Sequence, residues 1–347
     1  VTEPSPGGLH LIHEHNRSLR VGYRGQPLLR YVYRPWDAPV EAPRPYFHPL
    51  HTLGGDEVTV HRPHDHVWHK GLAFSLPNVD PAGGEERAGE PGGSGHTSTA
   101  NFWGGPTYRR GRGYVLLDNV GAMRHRSFAT LDSSPDAVRV VHHLDWVTAQ
   151  GEIWFVERRT FRVAVTGDAW TLAFETSLTN VGDADVAIGS PTTEGRDNAG
   201  YGGLFWRGPR SFTGGKVYAD SAAPGAAATG GAAIGAAAGG GFVAGGDELM
   251  GARGSWLAFC GQHDGHGRRS TLVFVDGPDN AGHPTRWFVR STPFAAVCPA
   301  PFFAEEVPLA AGGTLALRYA VVVADGDPGP DGAASLAATG LSALEGR

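Results

Sequence analysis

Six of the 16 histidines in this 347-residue chain, His48, His51, His61, His64, His66 and His69, lie between positions 48 and 69. Imidazole titrates near neutrality, so several in one cleft suit proton transfer. The densest part reads Arg62-Pro63-His64-Asp65-His66-Val67-Trp68-His69-Lys70-Gly71-Leu72. His64 and His66 are two apart, which on a strand puts both on one face. Such an H-x-H pair is also a metal-ligand pattern, because neutral imidazole suits Zn, Fe, Ni or Cu. A divalent metal there needs further ligands, and His69, His48 or a distant carboxylate are the candidates. Three readings stand side by side: acid–base histidines, a metal site, and a hydrogen-bonded polar floor.

A second segment, Glu194 to Arg210, sets acids beside bases. Glu194 and Asp197 can accept a proton, while Arg196 and Arg207 can steady an oxyanion or clamp a carboxylate. The glycines of Gly200-Tyr201-Gly202-Gly203 allow a ligand close to the backbone. Asn101-Phe102-Trp103-Gly104-Gly105 offers an indole platform for the apolar face of a sugar and an amide for a hydroxyl; a core aromatic pair beside a turn is the bland alternative. The assignment expected from these residues is as follows. One of His64, His66 and His69 moves the proton, with Glu194 or Asp197 as its partner. Arg196 and Arg207 face developing negative charge, and Trp68, Trp103 and Trp206 stack on a ring. His48, Asn101, Asn198, His283 and Arg290 are further substrate contacts. The two charged segments are expected to share one cleft, since burying such groups apart is costly.

Other chemistries lack their motifs. There is no G-x-S-x-G, CxxC, P-loop or dinucleotide fingerprint, which disfavours serine hydrolase, zinc ribbon, NTPase and direct NAD binding. With 29 basic and 35 acidic residues the formal net charge is −6, which argues against nucleic acid or an anionic membrane as the main partner. No apolar run approaches the roughly 20 residues that cross a bilayer. The start, Val1-Thr2-Glu3-Pro4, shows no secretory pattern, and Cys260 and Cys298 read as buried thiols, so a cytoplasmic location is expected.

The elements that must hold these residues are strands. Gly 52 and Pro 25 argue against a helical bundle. Trp170, Leu172, Phe174 and Leu178 fall on one face of a strand opposite Thr171, Glu175 and Ser177; Val138, Val140, His142, Leu144 and Trp146 line one face of a second, and Leu315, Leu317, Tyr319, Val321 and Val323 of a third. Further strands are expected at 18–23, 28–33, 112–120, 123–131, 152–165, 255–260, 270–275 and 313–324. One helix is expected at the end, capped by Asp331, with Ala334, Leu336, Ala337, Leu341 and Leu344 at helical spacing. Without βαβ alternation the expected fold is all-β, a large antiparallel β-sandwich with a short C-terminal helix. The chain reads as a single β-sandwich domain over 1–347, with flexible surface loops at 80–98 and 221–247.

Taken together, these segments resemble the PmoA-like family of bacterial proteins of unassigned function. The resemblance rests on Arg44-Pro45-Tyr46-Phe47-His48-Pro49-Leu50, the run from Arg62 to Leu72, Asn101-Phe102-Trp103-Gly104, the run from Asn198 to Pro209, and His283-Pro284-Thr285-Arg286-Trp287-Phe288-Val289-Arg290. It covers about residues 15 to 326. The family name implies a membrane-bound methane oxygenase subunit, which a chain without a spanning segment does not fit. The resemblance implies a gene setting near sugar-oxidising oxidoreductases. The strand pattern also resembles galactose-mutarotase-type supersandwiches, which use a histidine and a carboxylate on a sugar. The resulting expectation is a carbohydrate-active enzyme of isomerase, lyase or hydratase type, its partner a small-molecule carbohydrate. The alternatives are a non-catalytic carbohydrate-binding protein and a metal-dependent enzyme. The motifs specify neither substrate nor oligomeric state.

Overall fold

The computed structural model describes residues 7–81, 99–220 and 243–346. Among them, strands make two large sheets, and every strand pair is antiparallel. The nine-stranded sheet runs Val243–Gly245, Lys216–Ala219, Trp256–Gln262, Arg269–Asp276, Thr314–Asp325, Ala169–Asn180, Ile153–Thr166, Ala137–Val147, Ala122–Ser133. The eight-stranded sheet runs Leu9–Glu14, Ser18–Tyr23, Gln26–Val32, Tyr46–Leu50, Leu72–Ser75, Gly203–Arg207, Ala296–Pro299, Trp287–Arg290. A three-stranded sheet (Val307–Leu309, Val186–Gly189, Asn78–Pro81) and a hairpin (Thr107–Arg109, Gly113–Val115) complete the set. The all-β antiparallel sandwich expected from the alternation is the fold observed.

The period of two explains which face each residue takes. In Thr314–Asp325, Leu317, Tyr319, Val321 and Val323 face the core between the sheets. Ala320, Val322 and Ala324 face outward, where Ala333, Ala337 and Leu344 of the helix Gly329–Glu345 cover them. This strand therefore reads as a continuous apolar run because both of its faces are buried. The helix starts before Asp331, which sits inside its first turn and is not its cap; Asp327 Oδ1 accepts the Gly329 N–H at 3.1 Å.

The core also buries a polar chain. Glu157 receives Arg159 in a two-pronged ion pair at 2.8 and 2.9 Å, Trp146 Nε1–H at 2.8 Å and the Thr176 hydroxyl at 2.9 Å. Arg159 also meets the Tyr31 hydroxyl, which pairs with His142, which pairs with His125. None of the buried side-chain nitrogen and oxygen atoms of this polar chain lacks a partner, which is the condition for burying charge.

Three expectations need correction. Only Gly113–Val115 of the expected strand 112–120 is a strand, because the chain turns back at Gly111 to pair with Thr107–Arg109. Asp80 and Pro81 belong to a strand, paired with Ala187 and Val186, where the composition predicts a loop over 80–98. Likewise Val243–Gly245 pairs with Lys216–Ala219, so the end of 221–247 is sheet. Residues 82–98 and 221–242 of these stretches lie outside the described residues. No helix among those residues is long and apolar enough to cross a membrane.

Candidate functional site

Strand pairing brings the distant motifs together. Leu204 and Trp206 pair with Phe74 and Leu72, which follow the histidine segment directly. On the other side Trp206 pairs with Val297, and Val297 with Val289. In these strands Leu204, Trp206, Trp287 and Val289 point into the core. The alternate residues Phe205, Arg207, Phe288 and Arg290 point to the other face. There a cleft of ≈ 460 Å³ opens, lined by His66, Trp68, His69, Trp103, Gly104, Pro106, Tyr114, Arg196, Tyr201, Phe205, Phe288, Arg290, Pro293 and Phe294. The two charged segments thus meet in one cleft.

The histidine segment is a looped excursion closed by a bridge between His61 and Lys70, not a strand. Turns within it bond His66 N–H to the Pro63 carbonyl and His69 N–H to the His66 carbonyl. His64 and His66 therefore do not share a face. His64 is exposed and meets Arg210, while His66 enters the cleft. Buried Lys70, paired with Asp37 and Glu41, anchors the loop's end. Among the described residues no three His, Cys, Asp or Glu side chains gather as a metal ligand set.

Hydrogen bonds fix what the two cleft histidines can do. Asp65 Oδ2 lies 2.8 Å from His66 Nδ1 and 2.8 Å from Arg207 Nη2. Burial pushes the Asp65 carboxyl up, but the bonds from Arg207 and His66 outweigh it and hold the group well below the usual carboxylate range. An ionised carboxylate only accepts, so His66 Nδ1 carries the hydrogen and Nε2 is left with the lone pair. Burial lowers the His66 pKa from 6.5 against the opposing pull of Asp65, so the ring is neutral and basic at neutral pH. His69 is the reverse. Arg207 Nη1 donates to its Nδ1 at 2.8 Å, so Nε2 carries the hydrogen. Burial holds its pKa well below 6.5, which makes it a neutral donor that does not titrate in the working range. Arg207 itself lies under Phe294, 3.6 Å from the ring centroid, with a side chain only 2 % exposed. It positions Asp65 and His69 and does not reach a ligand.

The aromatic wall is set by backbone contacts. Asn101 Oδ1 accepts the N–H groups of Trp103 and Gly104, and its amide donates to Gly105 O and Thr107. It shapes the turn and is buried away from any ligand. Gly104 and Gly105 have positive φ of 98° and 67°, and a Cβ on Gly105 would lie 2.7 Å from the Trp68 ring, so only glycine lets the indole lie against this turn. Buried Arg44 donates to the carbonyls of Trp68 and Trp103 and ties the two loops together.

The lining continues past Trp103, whose ring centroid lies 4.6 Å from that of Tyr201, to Tyr114, Arg196 and Arg290. Arg196 donates to the Tyr114 hydroxyl, which shares a 2.9 Å hydrogen bond with Tyr201. Arg290 reaches the Asn198 carbonyl at 3.4 Å. Burial raises both tyrosine pKa values, and the two guanidiniums oppose that rise.

Several expected site residues are placed elsewhere. Trp206 is fully buried, donates to the Val58 carbonyl and packs on Phe212, Phe259 and Phe274. It sits one pleat position away from the cleft residue Phe205. Glu194 accepts the Arg110 N–H and faces Arg109, so it is not the partner of a cleft histidine. Asp197 and Asn198 are exposed and do not line the cleft. His48 stacks on His61 and bonds Thr59, and burial drives its pKa down to about 3. His283 pairs with Asp276 at 2.8 Å, outside the cleft. The residues not anticipated are Asp65, Tyr114, Tyr201, Phe205, Phe288 and Phe294. Alternation alone could have found Phe205 and Phe288, which are two positions from Arg207 and Arg290.

Residues 18–338 match the model of a family of unknown function, DUF6807. The chain belongs to that family. No curated protein matches the chain. Among solved structures, a GH36 α-galactosidase, AgaB from Geobacillus stearothermophilus, is 12% identical with a TM-score of 0.39, covering 92% of this chain and 41% of its own. Galactose 1-epimerase from Lactobacillus acidophilus NCFM is 9% identical with a TM-score of 0.40, covering 92% of this chain and 99% of its own. The chain thus spans about two fifths of the α-galactosidase's length. Identities and TM-scores this low do not carry either protein's activity to this family member.

Proposed function

We propose that this protein binds a sugar or keto-sugar in the aromatic cleft and moves a proton on it, with His66 as the acid–base group. The carrying observation is the Arg207–Asp65–His66 chain, which leaves Nε2 of a neutral imidazole as the basic atom of a ring that lines the cleft. Trp68, Trp103 and Phe288 supply flat apolar surface of the kind that stacks on a sugar ring. His69 Nε2–H and the Tyr114 hydroxyl supply donors for an oxygen that gains charge. Isomerisation, elimination and hydration all use this set. The two buried thiols, Cys260 and Cys298, agree with a cytoplasmic setting, which belongs to the same proposal.

The test is a panel of sugars and keto-sugars in deuterated water, followed by NMR for exchange of carbon-bound hydrogen and for new products. Wild type should exchange or convert one of them, and His66→Ala should lose on the order of 10²–10⁴ in rate with its melting temperature unchanged. Undiminished turnover in His66→Ala overturns the assignment. Binding without exchange or turnover favours the second reading, a non-catalytic sugar-binding protein, which the predominantly aromatic lining also fits. Loss of turnover on chelation would favour a metal-dependent enzyme.

A further inference from the structure

The cleft is lined by two guanidiniums, Arg196 and Arg290, and by no carboxylate among the described residues. Elsewhere several partly or fully buried arginines meet acids, Arg109 with Asp80, Arg159 with Glu157 and Arg207 with Asp65, while buried Arg44 is held by backbone carbonyls. The partners described for Arg196 are the Tyr114 hydroxyl and ring, and for Arg290 the Asn198 carbonyl at 3.4 Å and the Phe288 ring. Each guanidinium has five N–H donors, so most remain for a ligand. Both line the same cleft, and Arg290 reaches the carbonyl of Asn198, two residues along the chain from Arg196. The acid nearest the histidines, Asp65, is already engaged by Arg207 and His66.

We propose that the ligand of this cleft is a sugar acid, whose ring lies on the aromatic wall and whose carboxylate is held by Arg196 and Arg290. The planar fork of arginine matches the two oxygens of a carboxylate. The same fork can hold a phosphate, which the calorimetry below distinguishes. Lys70 is spent on Asp37 and Glu41, and the helix Gly329–Glu345 packs on the far sheet, so neither a lysine nor a helix N-terminus serves the cleft. The inference rests on the sugar reading above and adds the substrate class. It also places charge where proton transfer needs it. When His66 Nε2 takes a proton from the carbon next to the carboxylate, the electron pair moves into the carboxylate, and the guanidiniums face the growing charge. Return of the proton restores the acid, so no other reactant is consumed.

Calorimetry on the full chain decides it, with glucuronate and galacturonate, the matched neutral hexoses, glucose 6-phosphate, and cyclohexanecarboxylate as a ring acid that is not a sugar. A hexuronate should bind at least about tenfold more tightly than its neutral hexose, with affinity falling as salt rises. Arg290→Gln and Arg196→Gln should each reduce that preference about tenfold; if one variant fails to fold, the other carries the test. Neutral hexoses binding as tightly as hexuronates, or variants that keep the preference, overturn the sugar-acid proposal and leave the sugar reading standing. Glucose 6-phosphate as the tightest ligand overturns the carboxylate. Cyclohexanecarboxylate equal to the hexuronates supports the clamp and overturns the sugar reading. Silence from every probe overturns both.

Discussion

The rings of His66 and His69 stack with centroids 4.6 Å apart and planes within 12°, yet their Nδ1 partners fix opposite tautomers. Asp65 accepts from one and Arg207 donates to the other. Two adjacent imidazoles thus become one base and one donor without either being charged. Long-range ¹H–¹⁵N spectra near pH 7.5 should show hydrogen on Nδ1 of His66 and on Nε2 of His69. Matching tautomers would contradict the assignment.

Asp65→Asn should act through His66. The amide no longer holds the imidazole in one tautomer, and Arg207 loses its counter-charge. The expected rate loss is on the order of 10²–10⁴, with the acid limb of the pH–rate profile displaced. Stability should fall by about 1–3 kcal/mol for the lost charged hydrogen bonds. A stability loss with an unaltered pH profile would leave Asp65 a merely structural residue.

Trp206→Ala and Trp68→Ala should separate core from cleft. Trp206 fills the space between the sheets, so its truncation should cost about 3–5 kcal/mol in denaturant unfolding. Trp68 lines the cleft, so its truncation should weaken ligand binding by roughly 1–3 kcal/mol and shift the melting temperature little. Equal effects of the two on binding would contradict the alternation argument.

Glu157→Gln should destabilise strongly. Arg159 has a side chain 1 % exposed and would lose the only carboxylate bonded to it among the described residues. Removing one member of such a pair costs about 3–5 kcal/mol. A lower urea midpoint with an unchanged slope is the expected result.

Stability should also fall in mild acid. Burial lowers His48 from 6.5 to about 3, and His61 and His125 to about 4. The unfolded chain takes up protons near pH 6.5 that the folded chain refuses, so unfolding gains as pH drops from 6.5 towards 4. Each histidine contributes on the order of 1 kcal/mol per pH unit in that window. Unfolding free energies at pH 7, 6 and 5 check this, and a flat profile would show that these rings are solvated.

What the sequence determined by itself was the fold class and the long strands. Alternation over Ala169–Asn180 or Ala137–Val147 is a local consequence of one buried face, and it needs no knowledge of the neighbours. The chemical segments were also legible as clusters, because His, Arg and Trp are conspicuous by type. Tertiary structure alone decided which members of each cluster face the cleft. Trp206 and Phe205 differ by one pleat position, and only the pairing of Gly203–Arg207 with Leu72–Ser75 and Ala296–Pro299 says which face is the core. His64 and His66 lost their shared face because Lys70, held by Asp37 and Glu41, closes the segment as a loop rather than a strand. Tyr114 reaches Arg196 and Tyr201 from a hairpin more than eighty residues away, as the separations of 82 and 87 positions show. Contacts of that range depend on how separate strands come together, and no local pattern of residues records them.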